Sequence, residues 1–69
     1  MNKTKDRAVY RRAYGIWVNK RIGAKKATTL HLKQIDAVNS ASEILRRQGG
    51  GLLKVKEVNG KIHNEQILP

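Results

Sequence analysis

QIDAVNSASEILRRQ, residues 34 to 48, is the stretch that decides the fold. At about 100° per residue, its apolar side chains fall on one half of the helical circumference and its polar side chains on the other. The apolar half contains Ile35, Ala37, Val38, Ala41, Ile44 and Leu45. The polar half contains Asp36, Asn39, Ser40, Glu43, Arg46 and Arg47. This pattern predicts an amphipathic helix with one buried face.

The end of this helix is marked more clearly than its start. Arg46 and Arg47 occupy the last turn, where the negative end of the helix dipole favours cations, and three glycines, residues 49 to 51, follow as a C-cap signal. Lys33 is a poor N-cap, so the first helical residue is placed only within a few positions.

The segment after the glycines has the pattern of a hairpin. Residues 52 to 58, LLKVKEV, alternate between an apolar face with Leu53 and Val55 and a cationic face with Lys54 and Lys56. Asn59-Gly60 then favours a type I′ turn, because that turn needs positive φ at both central positions. Residues 61 to 63 begin a returning strand, and Ile67-Leu68 form a weak apolar pair before the end of the sequence.

The segment before the helix is rich in aromatic and β-branched residues. Period-two alternation from Val9 to Val18 predicts two strands, with residues 12 to 15 as the turn of a hairpin. A competing interpretation makes residues 6 to 14 a short helix, because Val9 and Ala13, like Tyr10 and Tyr14, are four positions apart. A basic loop, NKRIGAKK (19–26), and another strand-like run, ATTLHL (27–32), lead into the helix.

The order strand, strand, strand, helix, strand, strand predicts a two-layer α+β fold. We expect an antiparallel sheet with the one amphipathic helix packed on one face. Residues 1–8 are polar and charged and are predicted to form a basic disordered arm, so that residues 9–69 form a single small domain.

The composition limits the classes of protein to consider. A chain of 69 residues buries a small core, so a second copy could extend it, and a homodimer is one possible state. The absence of cysteine removes disulfides, zinc fingers and thiol catalysis, and it fits a reducing cytoplasm. No apolar run approaches the roughly 20 residues of a membrane span, and no signal-peptide pattern follows the charged start. We therefore expect a soluble cytoplasmic protein.

The net charge is the feature of the composition that departs most from that of an ordinary protein. Fifteen Lys and Arg stand against five Asp and Glu, which gives a net charge of +10 and a pI near 10.6. Up to Lys26 there are nine basic residues and one acidic residue. Such an excess favours a polyanion or an acidic protein surface as partner, although a merely well-solvated basic surface also fits it. An anionic membrane is disfavoured because the predicted fold leaves no apolar face free to insert.

Four segments together resemble a known family: GIWVN (15–19), ATTLHL (27–32), QIDAVNSASEILRRQGG (34–50) and LLKVKEVNGKIHNE (52–65). They are similar to the bacterial and phage family known as domain of unknown function 2188. Its pattern is Trp-x-Val, a short strand with Ala-Thr or Ala-Ser, a helix of Ala-Ile repeats ending near Gln-Gly, and a hairpin with Gly-Lys/Arg-Ile. The matching positions here are Trp17, Ala27, Thr28, Ala37, Val38, Gln48, Gly49 and residues 60 to 62.

The resemblance spans about residues 14 to 65 and departs from the family pattern in two places. Leu32-Lys33 stands where the family usually has an Asp-Thr or similar helix cap, and the basic segment before Tyr14 is additional. The resemblance supports the fold and implies no activity.

The sequence offers little for catalysis or metal binding. His31 and His63 each stand alone in a strand-like run, and the five acidic residues are scattered. The glycine triplet follows a helix rather than opening one, so it is not a phosphate-binding loop. We expect neither an enzyme nor a cofactor or metal site.

Nucleic-acid binding is the function that the charge pattern favours. If Ile16 and Val18 face the helix, Trp17 lies on the opposite face among cations, where it could stack on a base. The alternative for Trp17 is a place at the rim of the core or in a dimer contact. The predicted nucleic-acid-binding residues are Arg7, Arg11, Arg12, Trp17, Lys20, Arg21, Lys25, Lys26, Lys54 and Lys56.

A second class fits the same cations. A small basic protein could act as an inhibitor or adaptor that docks on an acidic protein surface, for example by filling the nucleic-acid groove of a nuclease or polymerase. A nucleic-acid binder should hold free DNA or RNA by itself, whereas an inhibitor should need its protein target. The sequence does not decide whether the nucleic acid is DNA or RNA, or whether it is single or double stranded.

Overall fold

A computed structural model of the chain describes residues 5–57 and 61–68, which form one sheet and one helix. The elements in chain order are β1 (Arg7–Arg12), a short turn (Ala13–Gly15), β2 (Ile16–Arg21), β3 (Thr29–His31), α1 (Gln34–Arg47), β4 (Gly51–Lys56) and β5 (Ile62–Leu68). The predicted α+β class, with one helix packed on one sheet, is confirmed.

The five strands lie in the order β3-β2-β1-β4-β5. Neighbouring strands are antiparallel except β1 and β4, which run parallel with Arg7 opposite Leu53 and Val9 opposite Val55. The sheet is therefore mixed, and the prediction of a wholly antiparallel sheet was wrong in this pair. The parallel pairing is possible because α1 carries the chain from the β3 edge back across the sheet before β4 begins.

Helix α1 lies over one face of this sheet and ends as predicted. The N–H of Gly50 donates to the carbonyl of Leu45 at 2.7 Å and the N–H of Gly49 to that of Arg46 at 3.2 Å. This pair of bonds is a Schellman cap, and it requires the positive φ of 91° that Gly49 adopts. The cap turns the chain out of the helix and into β4.

The buried face of α1 differs from the prediction at its flanks. Ala37, Ala41 and Leu45 are fully buried and Ser42 is 7% exposed, whereas Ile35 is exposed. Ile35 lies about 120° around the helix from Ala41, at the flank of the apolar arc, so it misses the sheet. On the other flank the hydroxyl of Ser40, predicted to be solvated, is 3.2 Å from the side-chain amide of Asn19.

The core lies between α1 and one face of the sheet, and Trp17 belongs to it. Trp17 is 9% exposed and packs with Val9, Leu53, Val55 and the helix residues Ala37, Ala41 and Leu45. The hypothesis that Trp17 lies on the face opposite the helix was wrong, and of the two interpretations the structure favours a place in the core. Small helix residues leave room for the indole ring, so it is Ile16 and Val18 that point to the opposite face.

The first strand is longer than predicted. It begins at Arg7 rather than at Val9, so Arg7 and Ala8 belong to the sheet and not to a disordered arm. The competing helix over residues 6 to 14 is excluded, and the turn predicted at residues 12 to 15 is present as Ala13–Gly15. Residues 1–4 of the predicted arm and the predicted Asn59-Gly60 turn lie outside the described residues.

Candidate nucleic-acid interface

The face of the sheet turned away from α1, here called the open face, carries Arg12, which is exposed, and Lys20, Lys54 and Lys56, which are half-buried. Alternation from the buried Val9, Trp17, Leu53 and Val55 assigns the residues between them to this face. Its members are Ala8, Tyr10, Arg12, Ile16, Val18, Lys20, Leu30, Leu52, Lys54, Lys56, Glu65 and Ile67.

A groove of about 390 Å³ runs over one end of this face. It is lined by Ala8, Tyr10, Lys20, Arg21, Ile22, Gly23, Lys54 and Lys56. Four of these eight residues are cationic and none is acidic. A groove with this lining attracts anions, because four cations raise the local potential and the one carboxylate opposite them on this face, that of Glu65 across from Lys54, offsets only part of it.

The strand register sets the spacing of the cations. Ala8 is the Cα partner of both Lys20 on β2 and Lys54 on β4, so the two lysines flank a small residue on the central strand. Their backbones are therefore about 10 Å apart, and Lys54 and Lys56 are about 7 Å apart along β4. The methyl group of Ala8 leaves the middle of the groove open.

Tyr10 forms the aromatic wall of the groove. The ammonium nitrogen of Lys56 lies 5.8 Å from the centre of the Tyr10 ring, within the range of a cation–π interaction. Tyr10 stands opposite Val18 in the β1–β2 register, and Val18 is fully buried although it lies outside the core beneath α1. The open face therefore has an apolar centre beside its cations.

The other predicted cations lie outside the groove. Arg11 and Arg12 are exposed at the end of β1, next to the β1–β2 turn, and Lys25 and Lys26 are exposed in the loop between β2 and β3. The structure thus separates the predicted cations into a groove set, a turn set and a loop set.

Arg7 is the exception, because it is 6% exposed. Its Nη1 donates to Asn19 Oδ1 at 3.0 Å and to Thr28 Oγ1 at 2.8 Å, while its Nε is buried without a partner. Burial, and after it the nearby charge of Arg21, lowers the pKa of the Arg7 guanidinium below its ordinary value. Arg7 holds β1 to β2 and the following loop, and it is not placed to contact a ligand on the open face.

The buried polar cluster continues from Arg7 to the helix. The Asn19 amide nitrogen lies 3.2 Å from Thr29 Oγ1 and 3.2 Å from Ser40 Oγ, and His31 Nε2 lies 2.8 Å from Thr29 Oγ1. His31 thus belongs to a structural network. Among the side chains that the structure describes, no three of His, Cys, Asp or Glu come together as metal ligands.

Sequence reasoning noted Tyr14 as an aromatic residue among cations but did not select it as a binding residue. Tyr14, in the β1–β2 turn, is 99% exposed, whereas the predicted stacking residue Trp17 is in the core. The available signal was its position before Gly15 in a predicted turn, since turn side chains are usually exposed.

A family comparison extends these observations. The family model described as "Uncharacterized protein conserved in bacteria (DUF2188)" matches residues 6–67. The chain belongs to this family. No curated protein and no solved structure matches this DUF2188 chain. Because the match begins at residue 6, β1 is part of the DUF2188 domain, and the prediction that the segment before Tyr14 is an addition was wrong.

All of the groove residues fall inside the DUF2188 match. Within the described part of this DUF2188 chain, no helix is long and apolar enough to cross a membrane.

Proposed function

We propose that this protein binds nucleic acid through the groove on the open face, mainly by contacts to phosphates. The observation that supports this proposal best is the lining of the groove, with Lys20, Arg21, Lys54 and Lys56 and no acidic residue. A run of phosphates is the ligand that several fixed cations on one surface bind most favourably, because each contact releases condensed counterions.

The geometry of the sheet suits a linear polyanion. Lysines on β2 and β4 flank the central strand, so a phosphate backbone lying along β1 would meet cations on both sides. Lysine ammonium groups on flexible stems contact phosphates without requiring a particular base. We therefore expect strong dependence on salt and little sequence preference.

We place this activity in the cytoplasm, as that of an accessory protein of bacterial or phage type that binds rather than catalyses. The lone histidines, the scattered acids and the absence of cysteine support binding over catalysis.

The test compares two double variants that remove the same charge. Lys54→Gln/Lys56→Gln alters the groove, and Lys33→Gln/Arg46→Gln removes two exposed cations at the ends of α1. Arg46 is chosen because its neighbour Arg47 is paired with Glu43. Fluorescence anisotropy with labelled DNA and RNA, single and double stranded, gives the dissociation constant across a salt series.

We expect the groove variant to weaken binding about tenfold and to reduce the log–log salt slope by about 1.4 on single strands or 1.8 on duplexes. The helix variant should keep the slope of the unaltered protein, because neither of its cations lines the groove. Equal effects of the two variants would show that only net charge matters and would contradict a groove-based site. If the unaltered protein binds no nucleic acid near 150 mM salt, the proposed function is wrong.

A second candidate function is docking on an acidic protein surface. The observation that favours it is a set of exposed apolar side chains, Leu30, Leu32 and Ile35, running from β3 into the first turn of α1. A phosphate backbone would not bury them, whereas a protein partner would. In an affinity capture with the protein as bait, Leu32→Ser should release an acidic protein partner while leaving nucleic-acid affinity unchanged.

A further inference from the structure

The β1–β2 turn presents one aromatic ring in an unfavourable backbone conformation. Tyr14 has φ 65° and ψ 23°, in the left-handed region, and it alone among the non-glycine residues that the structure describes has a positive φ. Gly15 follows with φ 73°. Asn-Gly or Asp-Gly is the usual solution for two consecutive residues of positive φ, and a bulky side chain at the first position is disfavoured.

Folding gains nothing from the Tyr14 ring. The side chain is 99% exposed, so it buries no apolar surface. It makes no hydrogen bond, ion pair or ring contact with any residue of the described ranges. A strained backbone position that carries a fully exposed aromatic side chain is a feature that packing does not explain, and such positions concentrate at binding sites.

The surroundings of the ring are cationic. Arg11 and Arg12 immediately precede the turn and are exposed. The guanidinium of Arg11 folds towards Gly15, where its Nη2 would lie 3.4 Å from a Cβ atom built on the glycine. Arg12 is on the open face, two positions along β1 from Tyr10 and about 7 Å from it along the strand. Cationic and aromatic groups thus continue from the groove to the turn.

This inference rests on the proposed function and specifies its ligand. We propose that Tyr14 is a stacking platform for an unpaired base, with Arg11 and Arg12 contacting the flanking phosphates, so that the protein prefers single-stranded nucleic acid. An exposed tyrosine ring beside arginines is the arrangement that holds a base by its π-face without reading its identity. In a duplex both faces of each base are already stacked on neighbouring bases, so the ring has no free face to contact.

The decisive variant is Tyr14→Asn, because asparagine tolerates the left-handed conformation and removes the ring. The control is Leu32→Asn, which removes an apolar side chain that is 80% exposed but lies outside the turn. Anisotropy with a labelled single-stranded oligonucleotide and its duplex gives two affinities for each protein, and thermal unfolding gives the stability.

The unaltered protein should bind the single strand more tightly than the duplex. Tyr14→Asn should weaken single-strand binding about tenfold, leave duplex binding within twofold, and keep or raise the unfolding temperature. Tyr14→Phe and Leu32→Asn should retain the single-strand affinity.

Three results would overturn this inference or its premise, and they can be told apart. If Tyr14→Asn keeps the single-strand affinity while Lys54→Gln/Lys56→Gln loses it, the stacking role is wrong and the groove remains. If the unaltered protein binds duplex as tightly as single strand, the preference for unpaired bases is wrong. If no nucleic acid binds, the proposed function itself is wrong.

Discussion

Lys56 and Tyr10 are in contact across two parallel strands, with the ammonium nitrogen 5.8 Å from the centre of the ring. The pair ties β4 to β1 on the open face, where α1 provides no cover. It also holds one groove cation beside the central strand, so it serves the packing of the sheet and the charge of the groove together.

Replacing the Tyr10 ring should therefore reduce stability. Tyr10→Leu should lower the free energy of unfolding by about 1 kcal/mol, because an aliphatic side chain cannot attract the ammonium group. Tyr10→Phe keeps the ring face and should stay close to the unaltered protein. Urea denaturation followed by circular dichroism measures both. Equal losses in the two variants would point to the hydroxyl group rather than to the cation–π contact.

The stability of the protein should depend on the Asn19 side-chain amide, which lies in the buried polar cluster beneath α1. Asn19→Ala removes the acceptor at 3.0 Å from Arg7 Nη1 and the amide partner of Thr29 and Ser40. We expect a loss of about 2–4 kcal/mol, because polar groups stay buried without partners. The measurement is urea denaturation at neutral pH.

Arg7→Met is the matched comparison within this cluster. It removes a buried cation whose Nε is unpartnered and which the charge of Arg21 disfavours. The loss should be smaller than for Asn19→Ala, because an apolar side chain of similar length fills the site. A larger loss for Arg7→Met would mean that the guanidinium, and not the amide, organises the cluster.

A side chain at position 51, where α1 joins β4, should destabilise the protein. Its φ is 152°, and a Cβ there would lie 2.9 Å from Leu45 Cδ2 in the core. Gly51→Ala should cost about 2–3 kcal/mol, from backbone strain and overpacking together. Gly49→Ala, where nothing lies within 4 Å of the added methyl group, should cost about 1 kcal/mol from backbone strain alone. Reversal of this order in urea denaturation would contradict the packing described at Gly51.

Trp17 should report folding and not binding. Its fluorescence emission should be blue-shifted in the folded protein and should stay unchanged on adding single-stranded DNA, because the indole is 9% exposed beneath α1. Trp17→Leu should reduce the unfolding free energy by about 2–3 kcal/mol and leave the affinity of the folded protein within twofold. A weakened affinity with intact stability would place the ring in the interface instead.

The helix was predictable because its information is local. An apolar repeat of 3.6, two arginines in the last turn and the following glycines all describe the same 14-residue element, Gln34–Arg47. The strand at Leu53 and Val55 was predictable for the same reason, since its apolar and charged residues alternate cleanly.

Which residues of β2 face the helix was not predictable in this way. Alternation separates Ile16 and Val18 from Trp17 and Asn19, but it does not say which pair faces the helix. Hydrophobicity favours burial of Ile16 and Val18 against the helix. The observed arrangement instead buries the polar Asn19 there, which the sequence pattern alone disfavours. The burial of Asn19 is satisfied by Arg7 from β1 and Ser40 from α1, which are distant in the chain and invisible to a local pattern. The parallel pairing of β1 with β4 also joins residues that are distant in the chain, so a local pattern does not predict it.

The backbone N–H of Leu52 donates to the Asp6 carboxylate at 3.0 Å, across 46 positions of sequence, where the central strand β1 meets β4. β1 is synthesised before β4, with β2, β3 and α1 made between them. Until β4 follows, the edge of β1 that will pair with it is therefore open. Because this pairing joins residues so far apart in the sequence, we expect folding to be complete only after β4 has been synthesised, and the open edge to be a place where unfinished chains associate.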